Sequence, residues 1–272
     1  MIQARKRFGQ HFLHDPAVIA RIVAALGLKS DDAAVEIGPG QGALTAALLP
    51  AVRRLDAIEI DRDLIAALRA RFAEQPGLVL HDGDALEFDW AALARERGAR
   101  LRLIGNLPYN ISTPLLFRVL ESSAAISDMH FMLQREVVDR ILAAPGTAAY
   151  GRLTVMLAPR LERTRVMDLG AGAFRPAPKV ASSVVRLRVI DSPPQWSQLP
   201  EYAAIVAAGF GQRRKMLRNA LERHLTAEQI HGVGVDPGAR AEQLTSEQFG
   251  RLAAVAAAAT AALAPAPEPV IH

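Results

Sequence analysis

Ala33-Ala34-Val35-Glu36-Ile37 is a short apolar run that passes directly into Gly38-Pro39-Gly40-Gln41-Gly42, and behind it Leu44, Leu48 and Leu49 keep helical spacing. A strand feeding a glycine turn and then a helix is the opening unit of a parallel sheet, because parallel neighbours require a crossover. The unit recurs along the first half of the chain. Residues 55–61 form the next strand and a helix runs from Asp63 through Phe72; Val79-Leu80 leads into His81-Asp82-Gly83-Asp84-Ala85. Strand 101–104, a helix from Thr113 to about residue 120, strand 128–133 and a helix carrying Val137, Val138 and Ile141 continue the alternation. Such repetition predicts an α/β domain built on a doubly wound, mainly parallel sheet.

The flanks follow from local chemistry. Asp15-Pro16 caps and opens a helix whose Val18, Ile19, Ile22, Val23 and Leu26 share a face, ending at Gly27. Thr113 is the expected N-cap of its helix, with Pro114 as the first helical residue. Past Tyr150-Gly151 the texture changes: a helix is expected over 153–161 and an exposed strand over 163–169. The β-branched stretch 180–189 is expected to add an edge strand. Asp191-Ser192-Pro193-Pro194 has the composition of a linker. Helices are then expected over 201–210, 215–225, 227–230 and 246–263, with Thr245 and Gln248 forming a capping box for the last. The expected domains are therefore 1–190, with 1–14 as a lid segment, a helical 191–264, and a Pro-rich disordered tail over 265–272.

Composition narrows the chemistry. The 272 residues are 50% hydrophobic, enough for a sizeable core, and contain no cysteine, which excludes disulfides and thiolate zinc sites. Seven scattered histidines lack metal-ligand spacing, so no metal is expected. Lys and Arg number 32 against 28 Asp and Glu, a small excess whose meaning depends on where it is concentrated. The basic N-terminus lacks the apolar core of a signal peptide, and the Ala-rich stretch near the end is too short and too weakly hydrophobic for a membrane span. A soluble cytoplasmic protein is expected.

The glycine loop marks a ligand site, and Glu59, ending the second strand about 20 residues on, stands where ribose hydroxyls are gripped in Rossmann-like sites. Gly38, Gly40 and Ala43 also satisfy the relaxed dinucleotide fingerprint, so the loop alone does not separate a nicotinamide cofactor from S-adenosylmethionine. Three features favour the methyl donor. Glu36 lies directly before the loop, tolerable beside a sulfonium and an amino group but poorly placed beside a pyrophosphate. Asp84 ends the third strand, where a carboxylate accepts from an adenine amino group. Asn106 terminates the fourth, where a dehydrogenase has no need of an Asn-Leu-Pro-Tyr turn.

That turn, Asn106-Leu107-Pro108-Tyr109, suits an exocyclic aromatic amine. The lone pair of adenine N6 is delocalised into the ring; carbonyl acceptors on its N–H groups favour the tetrahedral geometry that exposes it. The Asn106 side-chain oxygen and the Leu107 carbonyl supply such acceptors, Pro108 stiffens the turn, and Tyr109 stacks on the base. The alternative is a plain strand-to-helix turn with Tyr109 as a core ring.

Phe8-Gly9-Gln10-His11-Phe12-Leu13, the Glu36–Gly42 loop, Asn106-Leu107-Pro108-Tyr109 and Phe174-Arg175-Pro176-Ala177-Pro178-Lys179-Val180 occur in one order in one chain. Together they resemble the ribosomal RNA adenine N6-dimethyltransferases, over about residues 5–250. The resemblance implies a Rossmann-like class I S-adenosylmethionine-dependent methyltransferase sheet with a small all-α C-terminal domain. It implies a cofactor held by His11, Leu13, Gly38, Gly40, Glu59, Asp84 and Asn106, with His11 standing where family members often carry Asn. It implies a target adenine sandwiched by Tyr109 and Phe174 on an exposed, stiff loop. The substrate implied is a pair of adjacent adenosines near the 3′ end of small-subunit rRNA in the assembling subunit, acted on by a monomer. The densest basic run, Gly211-Gln212-Arg213-Arg214-Lys215-Met216-Leu217-Arg218-Asn219, would on a helix put Arg214 and Arg218 on one face, with Lys215 beside them. With Arg5, Lys6, Arg7 and Lys179 it is expected to meet the RNA backbone. Two other classes stay open: a non-catalytic assembly factor of the same fold, and a nicotinamide dehydrogenase.

Overall fold

The computed structural model describes residues 11–108, 110–212 and 214–263. Expectations placed on Arg5, Lys6, Arg7, Tyr109, Arg213 and the tail 265–272 lie outside the described residues. Two compact units are present. One joins the chain up to Leu142 with Leu161–Val189; the other joins Ala143–Arg160 with the chain from Ile190 onward.

The first unit begins with β1 (Phe12–Leu13) and α1 (Pro16–Leu26). Asp15 caps α1 by accepting from the Ala17 and Val18 N–H groups, and Gly27 ends it in the left-handed region. There follow β2 (Ala33–Ile37), α2 (Ala43–Leu48), β3 (Leu55–Glu59), α3 (Arg62–Arg71), β4 (Leu78–Asp82), α4 (Trp90–Arg97), β5 (Leu101–Asn106), α5 (Ser112–Glu121), β6 (Ile126–Gln134) and α6 (Arg135–Leu142). Every residue of β2 and β3 is buried, as befits strands covered on both faces. The helix expected from Thr113 starts one residue earlier, and Ile111 at its N-cap position offers no side-chain oxygen.

The second unit opens with α7 (Arg152–Leu157), after which the chain returns to the first as β7 (Leu161–Leu169), β8 (Phe174–Arg175) and β9 (Ser182–Val189). The main sheet runs β4-β3-β2-β5-β6-β9-β7. Its first five strands are parallel, and β9 and β7 are antiparallel to their neighbours. The stretch expected to form an edge strand is therefore internal: β9 pairs with β6 on one side and β7 on the other, its residues 182–185 and 187 buried, and β7 takes the edge. Strand order reverses at β2, which lies between β3 and β5. The crevice outside the carboxyl ends of β2 and β5 is thus the switch point where ligands bind in open α/β sheets.

The helical unit continues with α8 (Pro200–Gly211), α9 (Leu217–Ala220), α10 (Ala227–Gly232) and α11 (Ser246–Leu263). Residues 143–160, placed with the sheet domain on sequence grounds, group here instead. Tyr150 and Val155 are buried in a core with Tyr202, Ile205, Leu217 and Phe249. The Tyr150 hydroxyl donates to the Leu244 carbonyl (2.7 Å), and the Tyr202 hydroxyl to the Val155 carbonyl (2.8 Å). Thr245 and Gln248 exchange the two bonds of the expected capping box. No helix among the described residues is long and apolar enough to cross a membrane.

Candidate active site

The glycine loop leaves the buried end of β2 and doubles back before α2. Gly38, Gly40 and Gly42 all have positive φ, a conformation that side chains with a Cβ rarely adopt. Their N–H groups are used to hold the turn: Gly38 donates to the Ile58 carbonyl (2.9 Å), Gly40 to Glu59 Oε2 (3.1 Å) and Gly42 to the Pro39 carbonyl (2.8 Å). A cavity opens over this loop at the switch point, lined by Phe12, Leu13, Glu36, Gly38, Gly40 and Asn106 among others. A Cβ added at Gly38 would meet only open space, whereas one at Gly40 would lie 3.0 Å from the Phe12 ring. The loop therefore offers bare backbone to a ligand on one side and is roofed by Phe12 on the other.

Two carboxylates are buried at this point. Glu36 is 2% exposed and Glu59 6%. Glu59 accepts from three backbone N–H groups, those of Gly40, Ile60 and Asp61. A carboxylate has about four acceptor positions, so Glu59 retains capacity for a further donor. Burial nevertheless pushes its carboxyl above the ordinary value, against those three bonds and with Asp61 adding repulsion. Glu36 accepts from the Thr45 hydroxyl at 2.6 Å. Burial, with added repulsion from Glu59, raises it from 4.5 to about 7 despite that bond. Among the described residues no lysine or arginine pairs with either carboxylate. Asp84 follows β4, whose end is tied to β3 by the Gly83 N–H on the Glu59 carbonyl (3.0 Å). Its Oδ1 accepts from the Leu86 N–H at 2.9 Å. Buried carboxyl groups beside an open glycine backbone, unpaired with any described cation, suit a ligand that brings positive charge or hydrogen-bond donors and disfavour a pyrophosphate.

Asn106 ends β5 opposite Met132 of β6, and the next N–H, that of Leu107, bonds to the Met132 carbonyl at 3.2 Å. The Asn106 Nδ2 donates to the His11 carbonyl at 2.7 Å. A carbonyl only accepts, so this bond settles which way the amide faces and leaves Oδ1 as an acceptor. Leu107 itself is buried, which holds the turn's backbone in place.

Other expectations meet a different arrangement. The ring of Phe174, expected on an exposed loop, is 3% exposed and belongs to a core cluster with Leu13, Leu44 and Ile104. The cause is strand pairing: β8 joins β1 in a two-stranded antiparallel ribbon, with Phe174 opposite Leu13 and Arg175 opposite Phe12. The exposed members of that loop are Arg175, Pro176, Ala177, Lys179 and Val180. His11 Nδ1 lies 2.8 Å from the Pro176 carbonyl oxygen, a contact that leaves its expected place beside the cofactor open. In the helical unit, Arg214, Lys215 and Arg218 are exposed, but Arg214 and Arg218 do not share a helix. The chain leaves α8 at Gly211, and Met216 is extended before α9 begins at Leu217. The roles of Phe12 as roof and of Thr45 as the partner of Glu36 were not drawn from the sequence. Position 12 lay inside a motif already singled out, whereas Thr45 carries no local signal.

The sequence matches the family described as ribosomal RNA adenine dimethylase over residues 1–258. A protein of Methylococcus capsulatus named ribosomal RNA small subunit methyltransferase A is 53% identical over 245 residues, covering 90% of this chain and 95% of its own. One of the same name from Pseudomonas aeruginosa is 50% identical over 252 residues, covering 92% and 94%. Among solved structures, a dimethyladenosine transferase from Plasmodium falciparum superimposes with a TM-score of 0.72 at 25% identity, covering 89% of this chain and 96% of its own. The 23S rRNA methyltransferase ErmE gives 0.68 at 27% identity, covering 90% and 99%. With a sheet whose switch point holds the glycine loop and Asn106, and with relatives matched along nearly their whole length, the chain belongs to the ribosomal RNA adenine dimethylase family.

Proposed function

We propose that this chain transfers methyl groups from S-adenosylmethionine to the exocyclic N6 of two adjacent adenosines near the 3′ end of small-subunit ribosomal RNA, giving N6,N6-dimethyladenosines. The observation that carries this reading is the fixed amide of Asn106: with Nδ2 bonded to the His11 carbonyl, an acceptor oxygen is left at the carboxyl end of β5, beside the glycine-loop cavity.

S-adenosylmethionine supplies a methyl group already activated on a positively charged sulfur. Gly38 and Gly40 give it backbone to lie against, Leu13 packs at its side, Glu59 and Asp84 have acceptor capacity for its hydroxyl and amino groups, and Glu36 adds negative charge. Asn106 Oδ1 and the Leu107 carbonyl accept from the N6 hydrogens, so the nitrogen turns its lone pair away from the ring and toward the methyl group. Catalysis by acceptor placement needs no buried base. As the N–C bond forms, the sulfur keeps the electron pair of the broken S–CH3 bond and leaves as S-adenosylhomocysteine, and the methylated nitrogen releases a proton to water. One N–H is then gone, and the amine is held by a single remaining hydrogen bond plus stacking. Tyr109 provides one stacking face. Phe174, buried in the structure, provides the other once RNA binding uncovers its ring. The target base has to leave its own stack to reach the site, as in other base-modifying enzymes.

The exposed cations Lys179, Arg214, Lys215 and Arg218 are assigned to the phosphate backbone, together with Arg5, Lys6, Arg7 and Arg213. The protein is placed in the cytoplasm as a monomer acting on the assembling small subunit. Incubating unmethylated small-subunit rRNA with the protein and isotope-labelled S-adenosylmethionine, followed by mass spectrometry of nuclease fragments, tests this assignment. Label on two adjacent adenosines near the 3′ end is the expected result. RNA binding without label transfer would favour a non-catalytic assembly factor, and binding of NAD in place of the methyl donor would favour a dehydrogenase.

A further inference from the structure

We infer that Thr45 is a positioning residue for the methyl donor: from within α2 its hydroxyl holds the Glu36 carboxylate at the glycine-loop cavity in its charged form, and so sets how tightly a cationic donor binds near neutral pH. The inference rests on the function proposed above and gives a task to a residue which that function does not use.

Thr45 is the third residue of α2 and is fully buried. A helix gains nothing from a β-branched residue there, and valine would fill the same space. What threonine adds is one hydroxyl. It donates to Glu36 Oε2 at 2.6 Å, the length of a charge-assisted hydrogen bond. Glu36 lies one residue before the end of β2 and lines the cavity together with Gly38, Gly40 and Asn106. The bond therefore ties the helix that follows the glycine loop to the strand that precedes it, at the carboxylate the cavity exposes to a ligand.

The surroundings of Glu36 oppose its charge. Glu59 on β3 adds repulsion, with Asp61 beside Glu59. Asn106 on β5 is neutral, and β1 brings the apolar Phe12 and Leu13, with His11 ahead of them. Burial is the larger push, and against both the Thr45 hydroxyl pulls the carboxyl down, leaving it at about 7. A hydroxyl that donates favours the ionised acceptor over the neutral acid. S-adenosylmethionine is cationic at its sulfonium and amino group, so ionised Glu36 attracts it and the acid form forgoes that attraction. At pH 7 about half of the ligand-free molecules carry the charge. Valine at position 45 keeps the shape and removes the donor. The balance then tips toward the acid, and the methyl donor binds less tightly until the pH is raised.

The test is calorimetric titration of S-adenosylmethionine, without RNA, into the full-length protein and its Thr45→Val and Thr45→Ser variants at pH 7 and pH 8.5. One hydrogen bond to a charged group moves an ionisation midpoint by about one pH unit. Thr45→Val should therefore weaken binding about fivefold at pH 7 and less than about twofold at pH 8.5. Thr45→Ser, which keeps the hydroxyl, should stay within about twofold of wild type at both. Titration of the ligand's own amino group is common to all the proteins and cancels in the ratios. In a Glu36→Gln background the same Thr45→Val change should alter affinity by less than about twofold, since no charge is left to stabilise. Thermal midpoints show whether each variant is folded; if Thr45→Val unfolds, Thr45→Ala takes its place in the series. A loss of affinity equal at the two pH values, or one that persists beside Glu36→Gln, would make Thr45 a packing residue and overturn the inference, as would a Ser variant as weak as Val. A wild-type protein that binds no S-adenosylmethionine would instead sink the donor assignment, and this inference with it.

Discussion

Replacing Glu36 with glutamine separates what the fold needs from what the site needs. The carboxyl is 2% exposed and accepts from the Thr45 hydroxyl, and its pKa rises from 4.5 to about 7, chiefly by loss of water around the charged form. Below pH 4.5 the folded and unfolded chains both carry the proton, and the charge costs nothing. Between 4.5 and 7 the unfolded chain releases it while the folded one retains it, so stability falls by about 1.4 kcal/mol per pH unit. Above 7 both states are ionised and the loss levels off at about 3 kcal/mol. Glutamine has no charge to bury, and its Oε1 can still accept from the Thr45 hydroxyl. The variant should therefore match wild type within about 1 kcal/mol at pH 5 and exceed it by about 2–3 kcal/mol at pH 8. Denaturant unfolding of both proteins at the two pH values, without ligand, measures that widening gap; other titrating groups cancel in the difference. The same variant should bind S-adenosylmethionine more weakly at pH 8, since the site has lost negative charge facing a cation. A stability gap of the same size at both pH values would refute the reasoning, because burial of this charge would then not be the origin of the cost.

Asn106→Ala should lower methylation by roughly 10²–10³-fold, the usual cost of a lost preorganised hydrogen-bonding group, with RNA affinity within about twofold in a filter-binding assay; equal loss of both would deny the amide its assigned role. Arg214→Ala combined with Arg218→Ala should weaken RNA binding and reduce the slope of log K against log salt by about 1–2, read from titrations between low and moderate salt. An unchanged slope would return the two arginines to an ordinary solvated surface. Gly250→Ala should destabilise the helical unit, since the new Cβ would lie 2.3 Å from Trp196 Cδ2 and within 2.6 Å of Cε2. Overpacking of this kind costs about 1–3 kcal/mol, visible as a lowered midpoint in a thermal scan.

Much of the framework was legible because local chemistry and tertiary position agree. Asp15-Pro16, Gly27 and the Thr245/Gln248 pair act within a few residues of themselves, so their outcome needs no knowledge of the fold. The parallel sheet followed from alternation, and with it the location of Glu36, Glu59, Asp84 and Asn106 at strand ends. What failed depended on distant partners. Strand β9 is central only because β7 comes to cover its far side, and nothing within 182–189 records that neighbour. Tyr150 and Val155 belong with Tyr202 because of a core assembled across some fifty residues of sequence. Phe174 was expected to be exposed from the prolines and charges around it, but a two-residue pairing with Leu13 turned the ring inward and left its neighbours outside.

The two ends of the sheet treat charge in opposite ways. At the amino ends of β5 and β6, Arg102 is held by Asp128 (2.9 and 3.0 Å), by Asp32 (2.6 Å) and by the Leu26 carbonyl (2.7 Å), with Arg186 also reaching Asp128 at 3.2 Å. These partners hold the Asp128 carboxyl below its ordinary value against burial, and His130 beside it is driven down to about 4 and stays neutral. At the carboxyl ends of β2 and β3, Glu36 and Glu59 are buried with no described cation, and both are pushed up. Burial acts at both ends; paired cations offset it at the first, and at the second, where no cation pairs with the carboxyls among the described residues, a cationic ligand would supply the missing compensation. A ligand that brings positive charge to Glu36 recovers part of the roughly 3 kcal/mol that burial of its charge costs near neutral pH. Binding of the donor should thus release a proton below about pH 7 and raise the protein's stability most above it, an outcome expected of a cation and not of a dinucleotide.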